Sequence, residues 1–239
     1  PLLRVDRGLY VRSASPPPPS STPPALAAVP TPETARAPVQ GVVNWLNVWQ
    51  QTANYLTAHA DAGRVRLLTE DTLRFASALA LEEEGVQPSA ITFEWPEPIL
   101  GGGKIDMVVD LGDGERAVVE FKFPRDARGP ISPDTMTLGE LLRDFHRVTR
   151  VEAAERWVVQ LLNARLLTYL RRVGDRHPIT WVSDVGQTFA IDGQAVVGLP
   201  QTARASLSAW AADHQVATRC EFAADVTEDL RLLAYRVEA

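Results

Sequence analysis

An α/β fold with a mixed central β-sheet flanked by helices is what three features of this chain predict. The hydrophobic pattern alternates between helical and strand periods from about residue 67 to 170. A hairpin with turn chemistry at Gly112-Asp113-Gly114 lies in the middle of that stretch. The 239 residues are 45% hydrophobic, enough for one sizeable core with appendages.

Taken in order, Pro1-Leu2-Leu3-Arg4-Val5-Asp6-Arg7-Gly8-Leu9-Tyr10-Val11-Arg12 reads as the last strands of something larger. It is similar to the closing wing of a winged-helix DNA-binding domain, so residues 1–13 are expected to end a preceding domain. The lack of an initiator methionine fits a fragment or a processed start. Residues 14–38 hold nine of the 18 prolines and few bulky apolar side chains, the composition of a stiff, solvated linker. Residues 39–239 form the main domain. Its first helix carries Val42, Trp45, Leu46, Trp49, Ala53 and Leu56 at helical spacing, with the tryptophans read as packing groups.

A second helix spans 67–85, with Thr69 as N-cap and Leu73, Ala76, Leu79 and Ala80 on its buried side. Ile91, Phe93 and Trp95 alternate as a strand stopped by Pro96 and Pro98. Thr137-Leu138-Gly139-Glu140 reads as a capping box opening a helix whose stripe is Leu138, Leu141, Leu142, Phe145 and Val148. Trp157 to Leu162 follows as a buried strand, and Arg165 to Val173 as a short helix closed by Gly174. Beyond Pro178, strands are expected near Ile179–Val182, Thr188–Ile191, Gln194–Val197, 216–223 and 230–237, and a helix from Pro200 to His214. This last region is assigned to the domain's periphery.

The hairpin carries the chemistry. Symmetry about Asp113 sets Asp106 opposite Glu120, Lys104 opposite Lys122 and Asp110 opposite Arg116, all on one face. The other face holds Ile105, Met107, Val109, Leu111, Ala117, Val119, Phe121 and Phe123. Carboxylates about 5 Å apart repel by about 3 kcal/mol at an effective dielectric of 20, and by about 1 kcal/mol in open water. A hard divalent cation reverses that sign. The bland alternative is a solvated polar face. Lys104 and Lys122 are the only lysines among 24 basic residues. Lysine can give up its proton on burial, whereas a guanidinium cannot, so Lys122 suits a group that orients or deprotonates a water.

Asp106 with Glu120-Phe121-Lys122 resembles the motif of the PD-(D/E)XK nuclease superfamily, although Ile105 stands where a proline often precedes the first acid. The resemblance covers roughly residues 67 to 170 and implies a restriction-endonuclease-like core. It implies Mg²⁺, with Mn²⁺ as substitute, held by Asp106, Glu120 and the Phe121 carbonyl. It further implies Lys122 as the group that positions water and Glu70, on the preceding helix, as a fourth site residue. Glu82, Glu83 and Glu84 are rivals for the role of Glu70. DNA is the implied partner, RNA is allowed, and a homodimer and a role in bacterial restriction or antiviral defence are compatible. The rival class is a nuclease-derived fold without catalysis, serving as a nucleic-acid-binding or regulatory module.

From Arg143 to Arg176 eight arginines stand against four acids although the net charge is −6. Arg143, Arg147 and Arg150 share a helix face, and with Lys104 they are expected to meet phosphates; intrahelical pairs such as Glu140 with Arg143 or Asp144 with Arg147 compete. His146 is read as a packing or surface residue. Gly101-Gly102-Gly103 lacks a nucleotide loop's setting and is read as a close backbone passage. Cys220 alone excludes an internal disulfide and a zinc-ligand set. No signal peptide or membrane-length apolar run appears, so a cytoplasmic protein is expected.

Overall fold

The computed structural model describes residues 2–5, 9–12, 42–124, 134–207 and 214–238. The expected linker at 14–38 and residues 208–213 of the expected Pro200–His214 helix lie outside them. The chain divides into two compact units, Pro1–Ala35 and Arg36–Ala239. In the first, β1 (Leu2–Val5) and β2 (Leu9–Arg12) form an antiparallel pair with Leu2 opposite Arg12.

The second unit is α/β. Its strands are β3 (Ile91–Pro96), β4 (Lys104–Gly112), β5 (Glu115–Lys122), β6 (Glu155–Asn163), β7 (Thr188–Ile191), β8 (Val216–Asp225) and β9 (Leu230–Glu238). They form one seven-stranded mixed sheet in the order β3-β4-β5-β6-β9-β8-β7. β5 and β6 are parallel, and every other neighbouring pair is antiparallel. The parallel pair needs a crossover, supplied by α3 (Asp134–Thr149).

Helices cover both faces. α1 (Trp45–Asp61) and α2 (Glu70–Glu83) bury Trp49, Leu56, Leu73 and Leu81 against Met107, Val109, Val119, Phe121 and Val159. α3 and α4 (Ala164–Arg171) bury Leu141, Phe145, Leu166 and Leu170 against Val108, Val118, Val158 and Tyr235. Alternate residues of β5 thus serve two cores, as the pleat requires. α1 starts at Asn44, whose side chain accepts the Asn47 N–H. Its tryptophans pack with Trp157 at ring separations of 5.3–5.6 Å, in keeping with the packing expectation. Thr69 caps α2 as expected, in a reciprocal capping box with Thr72.

Several expectations change. α3 begins at Asp134, and Thr137 and Gly139 are buried inside it. A Cβ on Gly139 would sit 2.3 Å from the Ala203 carbonyl oxygen, so the glycine admits α6 (Gln201–Ala205) rather than marking a turn. The Arg165–Val173 helix runs instead from an Asn163 cap to Arg171, and Gly174 lies in a following 3₁₀ turn. Gln194–Val197 belongs to α5 (Gly193–Val197), because Asp192 accepts the Ala195 N–H and caps a helix there. Ile179–Val182 is coil, with Ile179, Trp181 and Val182 buried, fixed where the Tyr235 hydroxyl donates to the Val182 carbonyl. The strands after residue 215 are not peripheral: β9 lies between β6 and β8 inside the sheet.

Cys220 is buried and free, and burial pushes its thiol up to about 12. His146 is buried against His214, with ring centroids 4.8 Å apart. Among the described residues no helix is long and apolar enough to cross a membrane.

Candidate functional site

The hairpin register holds where the strands pair: Met107 faces Val119, Val109 faces Ala117 and Asp110 faces Arg116. Positive φ at Gly112, Asp113 and Gly114 makes the turn, with φ 53° at Asp113. The ladder then stops one residue short of Asp106. Asp106 Oδ2 instead accepts the Phe121 N–H at 2.7 Å, taking a donor that a regular strand would give to backbone.

β4 is irregular at this point. Ile105 packs in the α3-side core and Met107 in the α1–α2 core, two residues that perfect alternation would put together. The expectation of one continuous apolar face therefore fails at Ile105. On the other flank, β3 pairs Phe93 with Met107 and Trp95 with Ile105 but skips the Glu94–Asp106 position. Glu94 has φ 52°, a left-handed conformation that costs a side-chain-bearing residue energy and concentrates at functional positions.

Asp106 consequently faces a convergence of groups. Arg74 of α2 donates to it at 2.7 Å, to Glu70 at 3.0 Å and to Glu94 at 2.8 Å. Glu70 also accepts the Phe123 N–H at 3.2 Å, which ties the start of α2 to the end of β5. Its rivals are elsewhere: Glu84 caps the start of α1 through Asn44 and Asn47, and Glu82 and Glu83 are exposed.

Glu120 is 2% exposed, so the polar face of the hairpin is not solvated there. Burial, then the negative charges of Asp106 and Asp144, hold its carboxyl well above the usual range, and it shares a hydrogen bond with Asp106. Arg147 of α3 approaches Glu120 Oε1 to 3.1 Å and donates to the Lys104 carbonyl. Its guanidinium is thus turned toward the carboxylates. Arg143 lies 3.9 Å from Asp144 and remains partly exposed, as Arg150 is exposed. Lys104 reaches Glu94 at 3.7 Å, not Lys122.

Three residues here have no site role in the sequence pattern, Asp144 standing in it only as an intrahelical partner of Arg147. Arg74 carries no motif. Asp144 is buried, with its carboxyl raised to about 7 by burial, although Lys122 and Arg143 pull it down. Gln160 of β6, in register with Lys122, has both amide atoms buried without a hydrogen-bond partner. The signal for Gln160 was a polar residue inside the apolar run Val158 to Leu162.

The donor chemistry suits a hard divalent ion. The Glu120 Oε1 and Asp144 Oδ2 atoms are buried without hydrogen bonds, and neighbouring carboxylates oppose each other's ionisation. Among the described residues no three His, Cys, Asp or Glu side chains are gathered as a ready cation cage. Mg²⁺ asks for only one or two carboxylates and keeps waters. Comparison with protein-family models, with curated proteins and with solved structures finds no match to this chain.

Proposed function

We propose that this chain is a divalent-metal-dependent endonuclease of the PD-(D/E)XK type, with a restriction-endonuclease-like core, hydrolysing phosphodiester bonds in DNA. The observation that carries the reading is the meeting of Asp106, from a kinked β4, with buried Glu120 of β5, two residues before Lys122. Helix α2 before the hairpin, crossover α3 after it and a parallel β5–β6 pair are the order this core would need. Asp106, Glu120 and the Phe121 carbonyl would hold Mg²⁺. A bound Mg²⁺ supplies a Lewis acid and a more acidic water.

The chain's own residues do the rest. Lys122 orients the attacking water and shuttles a proton at Nζ. Gln160, beside it with an unpartnered amide, is placed to hold that water or the Lys122 amine. Glu70, which ties α2 to the end of β5, would shape the site. Arg74 and Arg147 neutralise the carboxylates until a cation takes their place. A role in bacterial restriction or defence belongs to this same reading.

The second reading, a nucleic-acid-binding or regulatory module without catalysis, is favoured by those same arginines, since Asp106 at 2.7 Å and Glu120 at 3.1 Å already have cationic partners. Supercoiled plasmid incubated with the protein and Mg²⁺ or Mn²⁺ separates the two. Nicking that disappears in Asp106→Ala and Lys122→Ala supports the nuclease. Activity that survives both substitutions refutes the site, and no cleavage on varied DNA and RNA substrates favours the binding module.

A further inference from the structure

The arginine excess of the 143–176 stretch is only partly used at the carboxylates. Three more of those arginines line a cleft of about 410 Å³ between the start of α3 and the α4 helix with the turn after it. Arg165, Arg172, Arg176, His177, Thr168 and Tyr169 line it, together with the acids Asp134 and Asp175. Asp134 is already neutralised by Arg165 at 2.6 Å. Arg172 and Arg176 therefore face the cleft against Asp175 alone; both are exposed, and among the described residues neither forms a salt bridge. They stand four residues apart, and Thr168 stands four before Arg172.

Tyr169 adds a donor. Burial and the nearby Asp134 push its phenol up, so it keeps its proton at neutral pH and can donate to an anionic oxygen. Two cations, a phenol and a hydroxyl around an open cleft are the complement of a phosphate group, and arginine matches its oxygens in pairs.

Position links the cleft to the carboxylates. Lys122 and Gln160 are in register, and Asn163, which caps α4, lies three residues further along β6. At strand rise that cap, from which α4 runs along the cleft, lies about 10 Å from the Lys122–Gln160 row. α4, which borders the cleft, starts directly after the carboxyl end of β6, the end where ligands gather on α/β sheets.

Resting on the nuclease reading above, we propose that this cleft is a second contact for a nucleic acid, in which Arg172, Arg176 and Tyr169 grip backbone phosphates away from the scissile bond.

The test is fluorescence anisotropy of a short labelled DNA duplex and its single strand, in EDTA so that no cleavage intervenes, across a salt titration. Relative to wild type, Arg172→Ala/Arg176→Ala should bind about tenfold more weakly. Its slope of log affinity against log salt should fall by about 1.8 on the duplex and about 1.4 on the single strand, the share of two lost phosphate contacts. Arg172→Lys/Arg176→Lys should recover most of the affinity, which separates charge from misfolding. Arg219→Ala, on a β8 arginine outside the cleft, should change nothing. Excess inorganic phosphate at constant ionic strength should not abolish the difference between wild type and the alanine variant; abolition would point to a free-phosphate pocket and overturn the proposal. Alanine and wild-type proteins binding alike with equal slopes would overturn it, as would a wild type that binds neither probe. Cleft-dependent binding without any cleavage on metal addition would refute the nuclease reading alone. Cleavage with cleft-independent binding would refute this inference alone.

Discussion

Glu120 is a buried carboxyl held well above its usual range, and the proposed chemistry needs it most. Buried beside Asp106 and Asp144, it resists ionisation, and Arg147 offsets that only in part. Glu120→Gln should therefore be neutral or stabilising by about 1 kcal/mol in metal-free buffer, read by urea unfolding, while abolishing nicking. A substitution at a purely structural ion pair would instead destabilise. His146 gives a second measurable effect. Burial, then His214 and Arg150, lower its pKa from 6.5 to about 4. The unfolded chain thus takes up a proton between those values that the folded chain refuses, and stability from this group falls as pH drops through that window. His146→Phe should flatten the wild-type loss of stability between pH 6.5 and 4, measured by thermal unfolding; identical profiles would refute the assignment.

At the scale of elements, the irregularity of β4 at Asp106 turns one side of a hairpin into the candidate site. A regular strand would have spent the Phe121 N–H on backbone and turned Asp106 away from α2. The periodicity of the sequence located the hairpin, its turn and the Met107–Val119 register, all of which depend on local pattern. It could not show the kink, because Ile105, Asp106 and Met107 read as ordinary alternation; the break comes from contacts with α2 and β3, far away in sequence. Arg74 was invisible for the same reason, and Gln160 showed only as a polar residue in an apolar run. The start of α3 misled differently: Thr137 and Glu140 imitate a capping box inside the helix, and Gly139 between them serves close passage of α6. Gly139→Ala should cost about 1–3 kcal/mol in urea unfolding. An unchanged midpoint would mean that α6 does not press on α3 as described.

For the whole molecule, the carboxyl-terminal strands close the sheet. β9 bonds to β6 along Trp157–Asn163 and to β8 along its other edge, so it joins the site-bearing strands to the rest. Composition indicated one sizeable core, whereas the sheet separates two, one on each face; the order of strands was not legible, since β9 follows β6 in the sheet only after residues 164–229 of the chain. Ending the chain before Leu230 should abolish cooperative unfolding altogether, seen as loss of the thermal transition in circular dichroism; a persisting transition at the wild-type temperature would contradict β9's central place. The account as a whole depends on Asp106 and Glu120 exchanging arginine for a divalent cation. Calorimetric titration of Mn²⁺ tests this most directly. Wild type should bind it saturably, and Asp106→Asn and Glu120→Gln should each lose that binding. A wild type that takes up no Mn²⁺, or variants that bind it equally well, would contradict the account.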